Sequence, residues 1–556
     1  MSTLRDPRSS LRLALVADTV RTHRVSAAVW VLAGGLTMYG MALAIAVEMK
    51  DFPGGSQALA ASIYPSAEAM RPMRWPAERL DTLGGYVTFH NVILFNLILA
   101  IYGAVQGARA IRSGEERHAL EEILAAGTSR FAVVRDRTAG FVLTMLVRSL
   151  GLGLATAAGV AGGDEPNITG SLITMGTAGL VGIVGYALGL LVSQLTSSAR
   201  TAAGASSAVL TVVYVATNMD DGRGPLDWTR FVSPFHYANA SRALVPGYGL
   251  DLAATGALVA MVVVLLALAA WAFASRDYAA PLWARRTTTA RATRAPRVPT
   301  VMLGSIWTAT LRRGRFGLLV WAAGAAAWMV LMAALQPAVM DVWSKFSFID
   351  LIDAMAGGGP GVSAEDVYWS FSGAMISPVI AAFVIAQASG WVADLADGRV
   401  EMIMAGPISW SRLVWERLVA LVVGVVVVTV VALGGLFVAG TAVGGTFDMG
   451  GLGRVALECV LLGAALGAVA AILVVWLRRG AAIRVLAVVV GASYLLGYFV
   501  PMFDWPDWLN RLSVFWAFGQ PYLEWPAASG LATMLVLAVP GALLAAAIAE
   551  RTVKVA

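Results

Sequence analysis

Two charged stretches lie 280 positions apart in the sequence and carry the same residue types at the same spacing. Residues 121–137 read EEILAAGTSRFAVVRDR, and residues 401–417 read EMIMAGPISWSRLVWER. The identical pairs are Glu121/Glu401, Ile123/Ile403, Ala125/Ala405, Ser129/Ser409, Val134/Val414 and Arg137/Arg417. Carboxylates and guanidinium groups on a short helix can make charge-assisted contacts with another protein. The repeated stretch therefore indicates a duplicated docking element.

Each copy is predicted to be a short amphipathic helix followed by a break. In the first copy Leu120, Ile123 and Leu124 fall on one face, and Glu115, Glu121 and Glu122 fall off it. Gly127 in one copy and Pro407 in the other end the helix. The serines that follow, Ser129 and Ser409, are suited to cap the next, apolar helix. The docking element is thus a charged helix held between two apolar segments.

Polar side chains inside two apolar runs could contact a small molecule. One helical face of the second run carries Thr88, Asn91, Phe95, Leu99, Tyr102 and Gln106, and one face of the fifth carries Ser207, Thr211, Tyr214 and Asn218. Because uncompensated polar groups are costly in lipid, both faces are expected to look inward. The repeat positions in the second half are more apolar, with Phe371 and Met375, but retain Tyr494. A polar and an apolar wall suit a bulky amphipathic substrate, although ordinary hydrogen bonding between helices explains the polar residues equally well.

Arg148 is the deepest basic residue of the apolar runs. An arginine at the centre of a membrane helix costs roughly 2.5 to 3.5 kcal/mol on insertion scales, so this side chain needs water or a partner. The sequence leaves open whether that partner is structural or functional.

The motifs by which enzymes bind phosphate or present a nucleophile are missing from the sequence. It contains no GxxxxGK[ST], HExxH or GxSxG segment and no Gly-rich dinucleotide turn. The single cysteine, Cys459, lies in an apolar run and predicts neither a disulfide nor a metal cluster. The chain is therefore expected not to be an enzyme and to have no catalytic residue, metal site or cofactor of its own.

The composition is that of a membrane protein. With 58% hydrophobic and 13% charged residues and a mean hydropathy of +0.74, the chain is too apolar to be soluble at this length. The pI near 9.5 could favour nucleic acid, but the basic residues lie at the ends of apolar runs, where the positive-inside rule explains them. The composition predicts an all-α polytopic membrane protein that binds no nucleic acid.

Hydropathy predicts twelve transmembrane helices arranged as two fused six-helix repeats with short cytoplasmic coupling helices. The predicted spans are 25–47, 86–108, 138–160, 172–194, 202–218, 252–274, 317–336, 369–391, 418–440, 454–476, 483–500 and 529–549. The predicted domains are an N-terminal interfacial helix (1–24), the first half (25–275), a cytoplasmic linker (276–300), and a second interfacial helix with the second half (301–556). Arginines crowd the linker, whereas loops 161–170 and 440–453 carry no basic residue, so both termini are expected in the cytoplasm.

Three features of the sequence resemble the permeases of type-2 ABC exporters. They are the duplicated halves, the charged helix after the second span of each half, and a DW-containing segment before each sixth span. The most specific segments are GEERHALEEILAAGTSR at 114–130 and DGRVEMIMAGPISWSR at 397–412. Both fit that family's pattern of a Glu-bearing coupling helix, a break, and then Ser/Arg. The fused arrangement is similar to the tetronasin-type polyketide antibiotic exporters of actinobacteria and their mycobacterial multidrug relatives. The first half has His118 where the second has Gly398, so the two coupling helices need not be equivalent.

This resemblance implies a transport function that depends on partner subunits. In that family the coupling helix docks on a separate nucleotide-binding subunit, so two copies of an ABC ATPase are expected to bind ATP and Mg beside this chain. The other expected partners are membrane lipid and a hydrophobic small-molecule substrate. The implied function is export of bulky hydrophobic or amphipathic compounds, such as drugs, polyketide-type antibiotics or lipids, across the bacterial plasma membrane. The residues expected to couple to the ATPase are Glu115, Glu116, Glu121, Arg130, Glu401 and Arg412.

Two other classes of protein compete with this interpretation. Twelve spans in two halves also describe proton-coupled secondary transporters of the major facilitator type, and GWVADLADGR from Gly390 resembles their loop motif. The second Gly of that motif is one position late, however, and few acidic residues lie in mid-span to carry protons. A membrane-embedded lipid-processing enzyme would need paired acidic residues at a membrane face, and none are found in the sequence.

Overall fold

The computed structural model describes residues 7–71, 73–163, 165–220, 224–282, 305–345, 362–477, 481–502 and 505–553. Its regular structure in these ranges is helical. The chain divides into two compact units, Met1–Ala290 and Arg291–Ala556. The larger part of the predicted linker, 283–300, lies outside the described residues.

The first unit begins with one continuous helix that carries the chain through the predicted interfacial segment and the first span. Helix α1 (Pro7–Val29) continues through one turn of π-helix (Trp30–Gly34) into α2 (Gly35–Asp51). Backbone angles at the junctions stay right-handed helical, with φ −61° and ψ −43° at Val29. Because no proline or cap interrupts this stretch, the helix has no reason to break at residue 24.

The remaining helices of the first unit follow the predicted order, with three helices added between predicted spans. They are α3 (Gly55–Ala69), α4 (Leu83–Val87), a π-helical turn (Thr88–Val92), α5 (Ile93–Glu116), α6 (Ala119–Ala125), α7 (Arg130–Gly162), α8 (Ile168–Leu195), α9 (Ala199–Met219), α10 (Thr229–Val232), α11 (Pro234–Ala240) and α12 (Leu252–Ser275). The added helices are α3, α10 and α11. Helix α3 lies within the segment predicted only as a loop between the first two spans. Its Ala-rich sequence favours helix in spite of the internal Pro65.

The second unit repeats this order from the first span to the last. Its helices are α13 (Ile306–Lys345), α14 (Ala364–Ala374), α15 (Ile376–Ala396), α16 (Arg399–Met404), α17 (Trp410–Ala442), α18 (Met449–Trp476), α19 (Ala481–Met502) and α20 (Ala528–Val553). Two 3₁₀ turns, Asp507–Leu512 and Trp516–Phe518, precede α20. Helix α13 is unbroken, so the predicted second interfacial helix and the seventh span form one element.

The prediction of an all-α polytopic membrane protein is confirmed, but the count of twelve spans is not. In the described part of the chain, 11 helices are long and apolar enough to cross a membrane. The predicted span 483–500 corresponds to α19, whose apolar part, Ala481–Gly497, falls short by this measure.

Helices α5 and α8 of the first unit pack through glycines. A Cβ on Gly107 of α5 would lie 1.9 Å from the Tyr186 carbonyl oxygen, and a Cβ on Gly189 of α8 would lie 2.0 Å from the Ala104 carbonyl oxygen. Small residues let membrane helices approach at backbone contact. The repeat positions in the second unit are Gln387 and Val469, so this contact belongs to one half alone.

Candidate coupling and substrate sites

Both predicted coupling helices are held between left-handed backbone positions and serine caps. In the first unit His118 has φ 60° and precedes α6, and Gly398 has φ 69° before α16. The two turns therefore share one backbone conformation, although only glycine adopts it without steric cost. Ser129 accepts a hydrogen bond from the Ala132 amide at 3.2 Å, and Ser409 accepts one from the Arg412 amide at 3.2 Å, which confirms both predicted caps.

Each coupling helix is anchored by one apolar residue and presents a glutamate. Leu120 of α6 is fully buried, and Val400 of α16 is 1% exposed. The side chain of Glu121 is 55% exposed and lies 3.7 Å from His118 Nδ1. Glu401 is likewise exposed. These two carboxylates are free to meet a partner protein.

Three of the residues predicted to contact the partner make polar contacts within the first unit. Glu116 Oε1 accepts a hydrogen bond from the Ala199 amide at 2.8 Å and so caps the first turn of α9. Arg130 Nη1 donates to the carbonyl oxygens of Phe273 and Arg276, both at 2.7 Å, where α12 ends. Glu115 is only 2% exposed. A local sequence pattern could not find these contacts, because the bonded residues are far apart in the chain.

Glu115 is the centre of a buried charged cluster. Its carboxylate pairs with Arg112 at 2.9 Å and with Arg276 at 2.5 Å. Arg276 Nε also donates to Gln194 Oε1 at 2.8 Å, and Arg112 Nε donates to the Ser193 carbonyl at 3.2 Å. Burial lowers the pKa of Arg276, and the neighbouring Glu115 opposes that shift. The cluster ties the ends of α5, α8 and α12 together beside α6.

In the second unit, different residues form the ion pairs next to the coupling helix. Asp394 Oδ1 accepts from Arg399 at 2.8 Å, and Asp394 Oδ2 accepts from Arg417 at 3.1 Å. The predicted coupling residue Arg412 is half exposed and pairs with Glu416 at 2.7 Å. Glu416 also accepts the amide hydrogens of Ile306 and Trp307 at the start of α13.

The residues predicted to bind substrate on the second span do not share one environment. Phe95 and Tyr102 both meet Trp30, with ring centroids 6.4 and 5.5 Å away. Thr88 donates to the Gly84 carbonyl at 2.7 Å and lines a small cavity with Asn96, Thr174 and Arg242. Of the other residues on this face, Asn91 and Leu99 are buried and Gln106 is half-buried.

The residues predicted to bind substrate on the fifth span also differ in their exposure. Tyr214 and Asn218 are buried, with the Tyr214 hydroxyl donating to the Met73 carbonyl oxygen. Ser207 is half-buried, and Thr211 is exposed and donates back to the Ser207 carbonyl at 3.0 Å. The hydrogen bond of Tyr214 therefore connects α9 to the segment between the first two spans.

The predicted substrate residues of the second unit lie nearer its surface. Phe371 is 55% exposed and Tyr494 is 39% exposed, and Tyr494 meets Phe515 edge to face at 5.6 Å. Met375 is half-buried between α14 and α15. In this unit the sequence analysis missed Glu458, a buried carboxyl of α18 that accepts from Ser377 at 2.8 Å. A single acidic residue inside the run VALECVLLG was the available signal.

Sequence profiles of two families match the chain, one within each unit. The family described as ABC-2 family transporter protein matches residues 15–278, and the family described as Multidrug efflux system permease Rv1217c, C-terminal domain, matches residues 303–550. Both matches are to families of transporter proteins, in agreement with the resemblance to ABC-2 type permeases that the sequence pattern indicated. The Multidrug efflux system permease protein Rv1217c of Mycobacterium tuberculosis is 26% identical to this chain over 399 residues, covering 71% of this chain and 68% of that protein.

Proposed function

We propose that this chain is the permease of an ATP-driven exporter that moves bulky hydrophobic or amphipathic compounds, such as drugs and polyketide-type antibiotics, out of the cell. The observation that carries the proposal is the pair of short helices α6 and α16. Each sits between two apolar helices and turns an exposed glutamate, Glu121 or Glu401, away from its unit. Charged groups on rigid elements are what a force-transmitting contact with another subunit needs.

The chain contains no phosphate-binding loop, so an ATP-driven exporter would need separate ATPase subunits. Two copies of an ABC ATPase would dock on α6 and α16, one on each, and would bind ATP and Mg. Docking on both helices requires them to face the cytoplasm. With α19 as a twelfth crossing, both termini would also lie there, in a chain of the bacterial plasma membrane. The relative from Mycobacterium tuberculosis is named as a multidrug efflux permease, which supports the proposed class of substrates.

Co-expression with an ABC ATPase encoded beside this chain tests the proposal. We expect the purified complex to contain one copy of this chain and two of the ATPase, by mass. In lipid nanodiscs, hydrophobic compounds should stimulate its ATP hydrolysis. A dimer of this chain with one ATPase would contradict the stoichiometry. Export from cells that continues without ATP hydrolysis but stops with a protonophore would favour the proton-coupled alternative.

A further inference from the structure

Arg148 is a buried cation that pairs with no carboxylate among the residues that the structure describes. It lies on α7, about 27 Å along the helix axis from Arg130 at 1.5 Å per residue, and its side chain is 0% exposed. A guanidinium cannot shed its charge in a protein, so burial cannot neutralise it. Its Nη2 donates to the Tyr102 hydroxyl at 2.6 Å and lies 3.4 Å from Ser26 Oγ and 3.5 Å from the His23 carbonyl oxygen. Its Nε and Nη1 have no acceptor among the described residues.

Two other buried arginines of the same unit have a carboxylate partner. Arg112 and Arg276 are as deeply buried, and both pair with Glu115. Arg112 also reaches the carbonyl oxygens of Ser193, Thr196 and Ala279. Both of these guanidinium groups thus have a carboxylate and carbonyl oxygens as acceptors. The free donors of Arg148 therefore need another explanation.

The repeat shows that the fold does not need a cation at this place. The position equivalent to Arg148 in the second unit is Val428, which is fully buried on α17. An apolar side chain thus fills the same site of a six-helix half. A charge that the fold can do without, and that is costly in a membrane, indicates a role in binding.

The surroundings of Arg148 are aromatic. Its guanidinium carbon lies 4.8 Å from the Tyr102 ring centroid. The Tyr102 ring meets Trp30 at 5.5 Å and stacks with Phe141 at 6.3 Å, and His23 meets Phe141 edge to face at 5.9 Å. Low polarity strengthens the attraction between a fixed cation and an anion, and aromatic walls suit an apolar molecule.

We infer that Arg148, with the hydroxyls of Tyr102 and Ser26, binds the acidic group of an amphipathic anion whose apolar body packs against Trp30 and Phe141. The inference rests on the proposed function and narrows it: the exporter selects compounds that carry a carboxylate or a similar acidic group. The same chemistry would hold the headgroup of an anionic lipid.

A pair of probes that differ only in charge tests the inference. The full chain in phosphatidylcholine nanodiscs is titrated with 12-(9-anthroyloxy)stearic acid and with its methyl ester, and binding is read from fluorescence anisotropy. We expect the acid to bind about ten-fold more tightly than the ester, as one charge-assisted contact provides. Arg148→Gln should reduce the affinity for the acid to that for the ester, and Arg148→Lys should keep part of the preference. Arg117→Gln, which removes a charge at the exposed end of α5, should leave the preference intact.

The outcomes of this titration test the inferred binding site independently of the folding of the variants and of the proposed export function. Equal binding of acid and ester by the unchanged chain would overturn the inference without any variant, and so would an acid preference that survives Arg148→Gln. Phosphatidylglycerol in the nanodiscs should compete with the acid if the natural occupant is a lipid, and should not compete if it is an exported acid. Because no ATPase is present, a negative result leaves the export proposal standing.

Discussion

The Glu115 carboxylate and the Arg276 guanidinium pair at 2.5 Å with both side chains 1% exposed, although 161 residues separate them in the chain. This contact joins the end of α5 to the start of the segment that leaves the first unit. Glu115 and Arg112 lie in the turns just before α6. The cluster therefore connects the turn before α6 to the ends of α5, α8 and α12.

Removing one partner of this cluster should destabilise the first unit. Glu115→Gln leaves two buried guanidinium groups without a counter-charge, which costs about 3 to 5 kcal/mol. The measurement is the midpoint of thermal unfolding of the purified chain. Asp81→Asn is the control, because Arg79 and Asp81 form an exposed pair worth about 0 to 1 kcal/mol. Equal midpoints for the two variants would show that the cluster contributes nothing.

Charge reversal on the coupling helices should uncouple ATP hydrolysis from substrate. We expect Glu121→Lys and Glu401→Lys each to cost about 1 to 3 kcal/mol at a desolvated contact with the ATPase, with unfolding midpoints unchanged because both side chains are exposed. Substrate-stimulated hydrolysis and subunit ratio are measured beside the basal rate. Glu524→Lys is the matched control on an exposed glutamate far from both helices in sequence. Normal stimulation in the double variant would reject coupling at these sites.

The glycine contact between α5 and α8 should tolerate no side chain. In Gly107→Ala the added carbon meets the Tyr186 carbonyl, and separating the helices costs about 1 to 3 kcal/mol. Gly176→Ala, on the same α8 but with nothing within 4 Å of the added carbon, should leave the unfolding midpoint unchanged. If both variants unfold alike, the close approach of α5 and α8 is not a source of stability.

Variants of Asn91 and Tyr214 should show which residue affects the choice of substrate and which affects packing. Asn91 Nδ2 has no acceptor within the described residues, so Asn91→Leu should not lower the unfolding midpoint but should change which compounds are exported. Tyr214→Phe loses the bond to the Met73 carbonyl, at about 0.5 to 1.5 kcal/mol, and should reduce export of all compounds alike. Resistance profiles in a sensitised host provide the readout. A uniform loss in Asn91→Leu would make that residue structural as well.

Lowering the pH should destabilise the first turn of α18, because Asp448 becomes protonated. Its carboxylate accepts the amide hydrogens of Gly450 and Gly451, both at 2.8 Å. These bonds, with Arg454, lower its pKa. A lowered folded-state pKa gives stability that is present above the ordinary aspartate value and is lost as the pH falls through the folded one. Between pH 5 and pH 3, about the range in which aspartate protonates, the unfolding midpoint should fall further for the unchanged chain than for Asp448→Asn. Parallel falls would contradict this role.

The sequence determined the class of this protein and the places of its charged helices. Apolar runs of membrane length predict spanning helices because lipid offers the backbone no hydrogen-bond partners. The serine caps depend on neighbouring residues alone, so Ser129 and Ser409 could be assigned from the sequence. The 280-residue repeat predicted two halves of one architecture, and the family matches fall within the two units in that order.

Only the tertiary structure decided which charges are buried and which are bonded to distant residues. Glu115, Glu116 and Glu121 look alike in the sequence, yet Glu115 meets Arg276, Glu116 caps α9, and Glu121 faces solvent. Helical periodicity gives the direction of a side chain around its own axis but not what packs there, and these partners lie more than 80 residues away. The same reason explains why Arg148 could be singled out from its sequence position, while its lack of a carboxylate partner among the described residues could be seen only once α1, α5 and α7 were packed together.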